Sequence, residues 1–112
     1  MAMIPSEDVE CYALVAYLRR QGIPHAHIPN STFTRSWSVK ARNKALGVSP
    51  GIPDYVISLP SALVWIEMKR VKGGRVSPEQ TAWVERLHRP PHVHAVICKG
   101  AVEAITYLER IT

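Results

Sequence analysis

Long hydrophobic runs are missing from this chain of 112 residues. No apolar stretch approaches the ~20 residues that a membrane-spanning helix needs, which argues against an integral membrane protein. Cysteine is scarce: Cys11 and Cys98 are the only two, too few for a disulfide framework. Each sits in an apolar pattern, as a buried free thiol in a reducing compartment would. The N-terminus, Met1 to Asp8, carries acids where a secretory signal would carry Lys or Arg and then an apolar stretch, so a cytoplasmic location is expected. Internal repeats and low-complexity segments are absent too. Acid is nearly missing from the middle of the chain, and that absence is the most informative.

From Arg19 to Arg75 there are ten Lys or Arg residues and only two acids, Asp54 and Glu67, a net +8, while the remainder carries four bases and seven acids, a net −3. A basic block on a near-neutral frame suits a polyanionic partner, because phosphate neutralisation dominates sequence-independent nucleic-acid binding. The competing reading is a solvated surface tuned for solubility. The apolar content of 46% and charged content of 21% predict one folded domain over 1–112 with one core.

The pattern of elements predicts an α/β protein. Ser6 to Gln21 reads as a helix: Ser6 caps it, Glu7, Asp8 and Glu10 fill the first turn, Arg19 and Arg20 the last, and Gly22 stops it. Cys11, Leu14, Val15 and Leu18 form its apolar stripe. A short strand is expected over His25 to Ile28, and a helix over Val39 to Leu46 ending at Gly47. Tyr55 to Leu59 and Leu63 to Met68 read as strands of a sheet covered on both faces, joined by a turn at Pro60-Ser61. Ser77-Pro78-Glu79-Gln80 opens a helix with Ser at N-cap, Pro at N1 and Gln at N3, running to about His88. A strand over Val93 to Cys98 follows, then a last helix from Gly100 with Ala101, Ile105 and Leu108 inward. This order suits one sheet with helices on both faces.

Three residues of the central hairpin carry the chemistry. Glu67 and Lys69 are two apart on a strand and share a face. The turn at Pro60-Ser61 folds the preceding strand back, which brings Asp54 opposite Glu67 and Met68. Two carboxylates side by side repel unless a cation sits between them. Their hard oxygens, with the Met68 backbone carbonyl, suit Mg²⁺ or Mn²⁺ rather than zinc. Phosphodiester hydrolysis fits: the metal polarises the phosphoryl oxygen and acidifies a water, and Lys69 steadies the nucleophile or the charge developing on phosphorus. The plainer reading is a Glu–Lys strand pair and an unrelated turn Asp. The apolar run Val64-Trp65-Ile66 argues against it, since a lone charge beside such a segment is costly.

Pro53-Asp54, twelve residues, then Glu67-Met68-Lys69 resembles the PD-(D/E)XK nuclease signature. Gly51-Ile52-Pro53-Asp54, Ile66-Glu67-Met68-Lys69-Arg70 and Gly73-Gly74-Arg75-Val76-Ser77-Pro78-Glu79-Gln80 together resemble its VRR-NUC branch, whose members include small phage and bacterial proteins. The likeness extends through Ile28-Pro29-Asn30 and Leu46-Gly47-Val48. It implies a restriction-endonuclease-like αβββαβ core, a central mixed four-stranded sheet flanked by helices, and a metal-dependent endonuclease in a bacterial or phage-infected cell. It makes Asp54 and Glu67 metal ligands, Lys69 the catalytic lysine and Gln80 an active-site residue. Gln80 has a local alternative, the capping box with Ser77, although Gln80, Trp83, Val84 and Leu87 share a face that turns Gln80 toward the sheet. The family also uses an acid from the first helix. Glu10 extends the core-facing stripe and is preferred; Glu7 is the alternative. Cys11 stands where relatives often carry Gln, a departure that would weaken a supporting hydrogen bond.

Asn30, Arg35, Lys40, Arg42 and Lys44, with Arg70, Lys72 and Arg75, are the expected DNA contacts, made to backbone phosphates rather than base edges. Trp37 in the same segment could equally anchor the core. His25-x-His27 and His92-x-His94 with Cys98 are a rival zinc set, which requires two separate strands to be neighbours. The expected function is a Mg²⁺- or Mn²⁺-dependent endonuclease on branched or duplex DNA, with Holliday-junction-like substrates preferred, acting as a symmetric homodimer. The alternatives are a DNA-binding module with an inactive site and a metal-stabilised structural protein.

Overall fold

The computed structural model describes residues 3–29 and 34–112. The elements follow in the order α1 (Glu7–Arg20), β1 (His25–His27), α2 (Trp37–Ala45), β2 (Tyr55–Ser58), β3 (Leu63–Lys69), α3 (Pro78–Leu87), β4 (Val93–Lys99) and α4 (Ala101–Ile111). The strands form one mixed sheet in the order β1-β2-β3-β4. β1–β2 and β2–β3 are antiparallel, and β3–β4 is parallel. Leu59 N–H donates to Ala62 C=O at 2.9 Å in the tight turn between β2 and β3. The parallel pair needs a crossover, which α3 supplies. The α/β class, the mixed four-stranded sheet and the αβββαβ order are as the sequence predicts.

The period-two alternation of β3 divides the molecule. Val64, Ile66 and Met68 are fully buried and join Tyr55, Ile57, Leu14, Leu18, Ala104 and Leu108 in the main core, so α1 and α4 cover this face. Burying each such leucine contributes about 1.5–3 kcal/mol. Trp65, Glu67 and Lys69 face the opposite way, toward α3. α1 begins where Ser6 Oγ accepts from Val9 N–H at 3.2 Å, with Glu7, Asp8 and Glu10 in the first turn and Arg19 and Arg20 in the last. Both cysteines are free, Cys98 buried and Cys11 partly so.

Two expectations need correction, and two alternatives fall. α2 starts at Trp37 rather than Val39, because Ser36 is its cap and accepts from Val39 N–H. Trp37 is 86% exposed, so it anchors no core. The sheet is not fully covered on both faces: α3 lies over β3 and β4, and on β2 Val56 is half-buried and Ser58 exposed. The histidine pairs lie on β1 and beside or on β4, the opposite edges of the sheet, so they cannot share an ion. Among the described residues no helix is long and apolar enough to cross a membrane.

Candidate active site

Asp54 immediately precedes β2, and the antiparallel register that pairs Tyr55 with Ile66 continues to set Asp54 against Glu67. The contact is direct. Met68 N–H donates to Asp54 Oδ2 at 2.9 Å. The N–H and C=O of one strand residue point to the same side, so the Met68 carbonyl turns toward Asp54 as well. Glu67 Oε2 accepts from Gln80 Nε2 at 3.0 Å and lies 3.4 Å from Lys69 Nζ. Glu67 and Lys69 are only 2% and 7% exposed.

Gln80 satisfies both readings that the sequence left open. Its N–H donates to Ser77 Oγ at 3.1 Å and its Oε1 accepts from Ser77 N–H at 2.9 Å, which completes the capping box. Its Nε2 remains free to reach Glu67. One side chain thus starts α3 and orients a buried carboxylate.

The electrostatics are those of a crowded anionic site. Burial pushes the Glu67 carboxyl up to about 8, the Asp54 charge adds to the rise, and Lys69 opposes it. Burial also raises Asp54, opposed by the Met68 N–H, the Glu67 carboxyl and Lys69. Glu67 Oε1 is buried with no hydrogen-bond partner, and such an atom costs free energy unless something meets it. A hard cation would meet it: Asp54, Glu67 and the Met68 carbonyl form an all-oxygen set that fits Mg²⁺ or Mn²⁺. Among the described residues no group of three or more His, Cys, Asp or Glu side chains converges on one ion. Such a set therefore needs the backbone oxygen. Burial pushes both thiols up, Cys11 to about 11 and Cys98 to about 12, which favours the protonated thiol over the thiolate.

Glu10, the preferred helix-1 acid, is engaged away from the carboxylates. Glu10 Oε1 accepts from Ala101 N–H at 2.9 Å, which ties it to the start of α4. Gly100, the N-cap of α4, brings no side-chain acceptor, and Glu10 fills that vacancy. Glu7, the alternative, lies within electrostatic reach of Asp54 and Lys69. Its carboxyl is raised by burial and then by the Asp54 charge, and Lys69 opposes the rise. The sequence carried only half of that signal: a helix opened by Gly100 needs an acceptor from elsewhere, but nothing local names Glu10 as its source.

Beside Lys69 a cleft of about 470 Å³ is lined by Arg75, Val76, Ser77, Pro78 and Gln80, room for a phosphate at the lysine. Arg70, Lys72 and Arg75 are exposed in the loop after β3. A Cβ on Gly74 would lie 3.2 Å from Lys69 Cβ, so this loop folds back along the lysine. Lys40, Arg42 and Lys44 are exposed on α2, with Arg35 just before it; Asn30 lies outside the described residues. Gly51 escaped the sequence reading as a site residue, yet a Cβ there would lie 2.6 Å from the Glu79 carbonyl carbon and 2.8 Å from Gln80 N. The segment leading into Asp54 is thus pressed onto the first turn of α3.

No family model matches the chain, and no curated protein matches it. Among solved structures, one titled "VRR_NUC domain protein" superposes with a TM-score of 0.77 at 22% identity, covering 97% of this chain and 89% of that one. The chain therefore shares the fold of that protein over nearly its whole length.

Proposed function

We propose that this chain is a nuclease of the VRR-NUC branch, a divalent-metal-dependent endonuclease that hydrolyses DNA phosphodiester bonds. The observation that carries the reading is the quartet Asp54, Glu67, Lys69 and Gln80, with Glu67 and Lys69 buried and Asp54 and Gln80 half-buried, in which one Glu67 oxygen is left without a partner. A charged, desolvated cluster in a cleft is the mark of a functional site rather than of a stabilising ion pair. The fold shared with a VRR_NUC domain protein supports the same reading.

Asp54, Glu67 and the Met68 carbonyl would hold Mg²⁺ or Mn²⁺, which supplies Lewis-acid polarisation of a phosphoryl oxygen and a more acidic water. Lys69 offers its ammonium to the non-bridging oxygens, where charge grows as phosphorus is attacked. Gln80 fixes the rotamer of Glu67 through Oε2 and leaves Oε1 available. Glu7 adds negative charge at the rim. Arg75 lines the same cleft and is suited to a neighbouring phosphate.

The favoured substrate is branched DNA, including Holliday-junction-like forms. A symmetric homodimer would bring two such sites to two strands, and sedimentation velocity reads that state directly. The deciding experiment incubates supercoiled plasmid, linear duplex and a four-way junction with Mg²⁺ or Mn²⁺ and either wild type or Lys69→Ala. Cleavage by wild type that disappears in Lys69→Ala, with binding retained, supports the nuclease. Binding without cleavage by either protein identifies a DNA-binding module, and neither binding nor cleavage overturns both.

A further inference from the structure

We infer that α2 is a substrate arm: Trp37 stacks on an unpaired base of DNA while Lys40 and Lys44 hold the phosphates to one side of it, so that the enzyme favours DNA whose bases are splayed apart. The inference rests on DNA being the partner, as proposed above. Among the described residues no buried packing accounts for this helix. It buries no residue, whereas a tryptophan packed into a protein normally buries much of its large surface. Trp37 is instead 86% exposed. An isolated helix this short is marginal in water, and here it is held at its ends. Ser36 caps the start, and Leu46, Gly47 and Val48 N–H groups close the end on Arg42, Lys44 and Asn43 carbonyls.

The helical repeat puts Trp37, Lys40, Ala41 and Lys44 on one stripe, and Lys40 Nζ stands 5.9 Å from the centre of the Trp37 ring. No acid lies on α2. An aromatic ring with one ammonium over it and a second one turn further along the stripe suits a base and the phosphates to one side of it, a combination that single-strand binders use. A membrane-surface helix would need a continuous apolar face, and this stripe has only one large apolar residue. Ile28 and Pro29 before the arm, and Gly47, Val48 and Ile52 after it, line one hollow with Trp83 of α3. Gly51 then presses on the turn that carries Gln80. The C-terminal end of the arm is therefore rooted beside the helix that covers Glu67.

The test measures anisotropy in EDTA with a labelled blunt duplex, the same duplex carrying unpaired arms, and phosphatidylserine vesicles. Wild type is expected to bind the forked probe more tightly than the blunt one. Trp37→Ala is expected to weaken forked binding about tenfold and blunt binding less than about twofold, while Trp37→Phe retains most of the preference. An unchanged melting temperature in Trp37→Ala separates this loss from unfolding. Equal loss on both probes, no loss on the fork, or Trp37-dependent vesicle binding overturns the inference. The companion assay adds Mn²⁺. If wild type cleaves and Trp37→Ala keeps the same fork-to-duplex ratio, the arm is refuted and the nuclease stands. If wild type shows the Trp37-dependent preference but never cleaves, the nuclease reading fails and the arm stands.

Discussion

At the scale of single residues, Glu67 sets the balance between stability and function. Its carboxyl is pushed up to about 8 by burial and by Asp54, so the folded chain holds a proton that the unfolded chain releases near its ordinary value of 4.5. The folded state then binds more protons than the unfolded one, and stability falls as pH rises through that interval. Melting in EDTA is expected to drop from pH 5 to pH 8 and to flatten above, and Mn²⁺ should restore more at pH 8 than at pH 5. Glu67→Gln should remove most of the pH slope and melt higher than wild type at pH 8 in EDTA. An unchanged slope in Glu67→Gln would assign it to other groups. The two helix-1 acids should separate cleanly as well. Glu10→Ala leaves Ala101 N–H without its acceptor and should cost about 1–2 kcal/mol in denaturant titration, with cleavage per folded molecule retained. Glu7→Gln should do the reverse, lowering cleavage with little change in stability, because Glu7 is exposed and adds charge beside Asp54.

Element boundaries were legible wherever local chemistry sets them. Ser6, Ser77 and the Pro60-Ser61 turn do their work within a few residues, and α1, α3 and the β2–β3 hairpin follow the sequence pattern closely. Asp54, Glu67 and Lys69 were legible for the same reason, since strand parity and hairpin register bring them together, whereas Gln80 was read from the family resemblance and from the face it shares with Trp83, Val84 and Leu87. What the sequence hid is tertiary: Glu10 and Ala101 are 91 residues apart, and no local rule couples them. Gly51 belongs to the same class. Its φ of +89° and the approach to Glu79 and Gln80 leave room for a hydrogen and nothing larger. Gly51→Ala must strain the backbone and push the Pro53-Asp54 segment off α3. It is expected to lose roughly 1–3 kcal/mol of stability and a larger share of cleavage than that loss explains, because Asp54 and Gln80 move apart. Full cleavage in a Gly51→Ala protein that is merely less stable would show that this close packing serves folding alone.

For the molecule as a whole, the basic block becomes two exposed patches, one on α2 and one beside Lys69. α2 and its approach carry Arg35, Lys40, Arg42 and Lys44, and the loop after β3 carries Arg70, Lys72 and Arg75, all exposed. The composition revealed the excess charge, but only the fold brings the second patch back along Lys69. If all of these groups meet phosphates, counterion release predicts a slope of about −6 for log affinity against log salt, a loss of roughly a thousandfold or more between 50 and 200 mM. Replacing Arg35, Lys40, Arg42 and Lys44 with Gln should bring the slope to about −3, since each lost phosphate contact removes about one unit. Replacing Arg70, Lys72 and Arg75 should flatten it comparably, and should also slow cleavage at saturating DNA because Arg75 lines the cleft beside Lys69. Binding measured against salt without metal, followed by single-turnover cleavage, separates the two effects. A slope untouched by either set would move the DNA to another face and detach the basic block from the carboxylates.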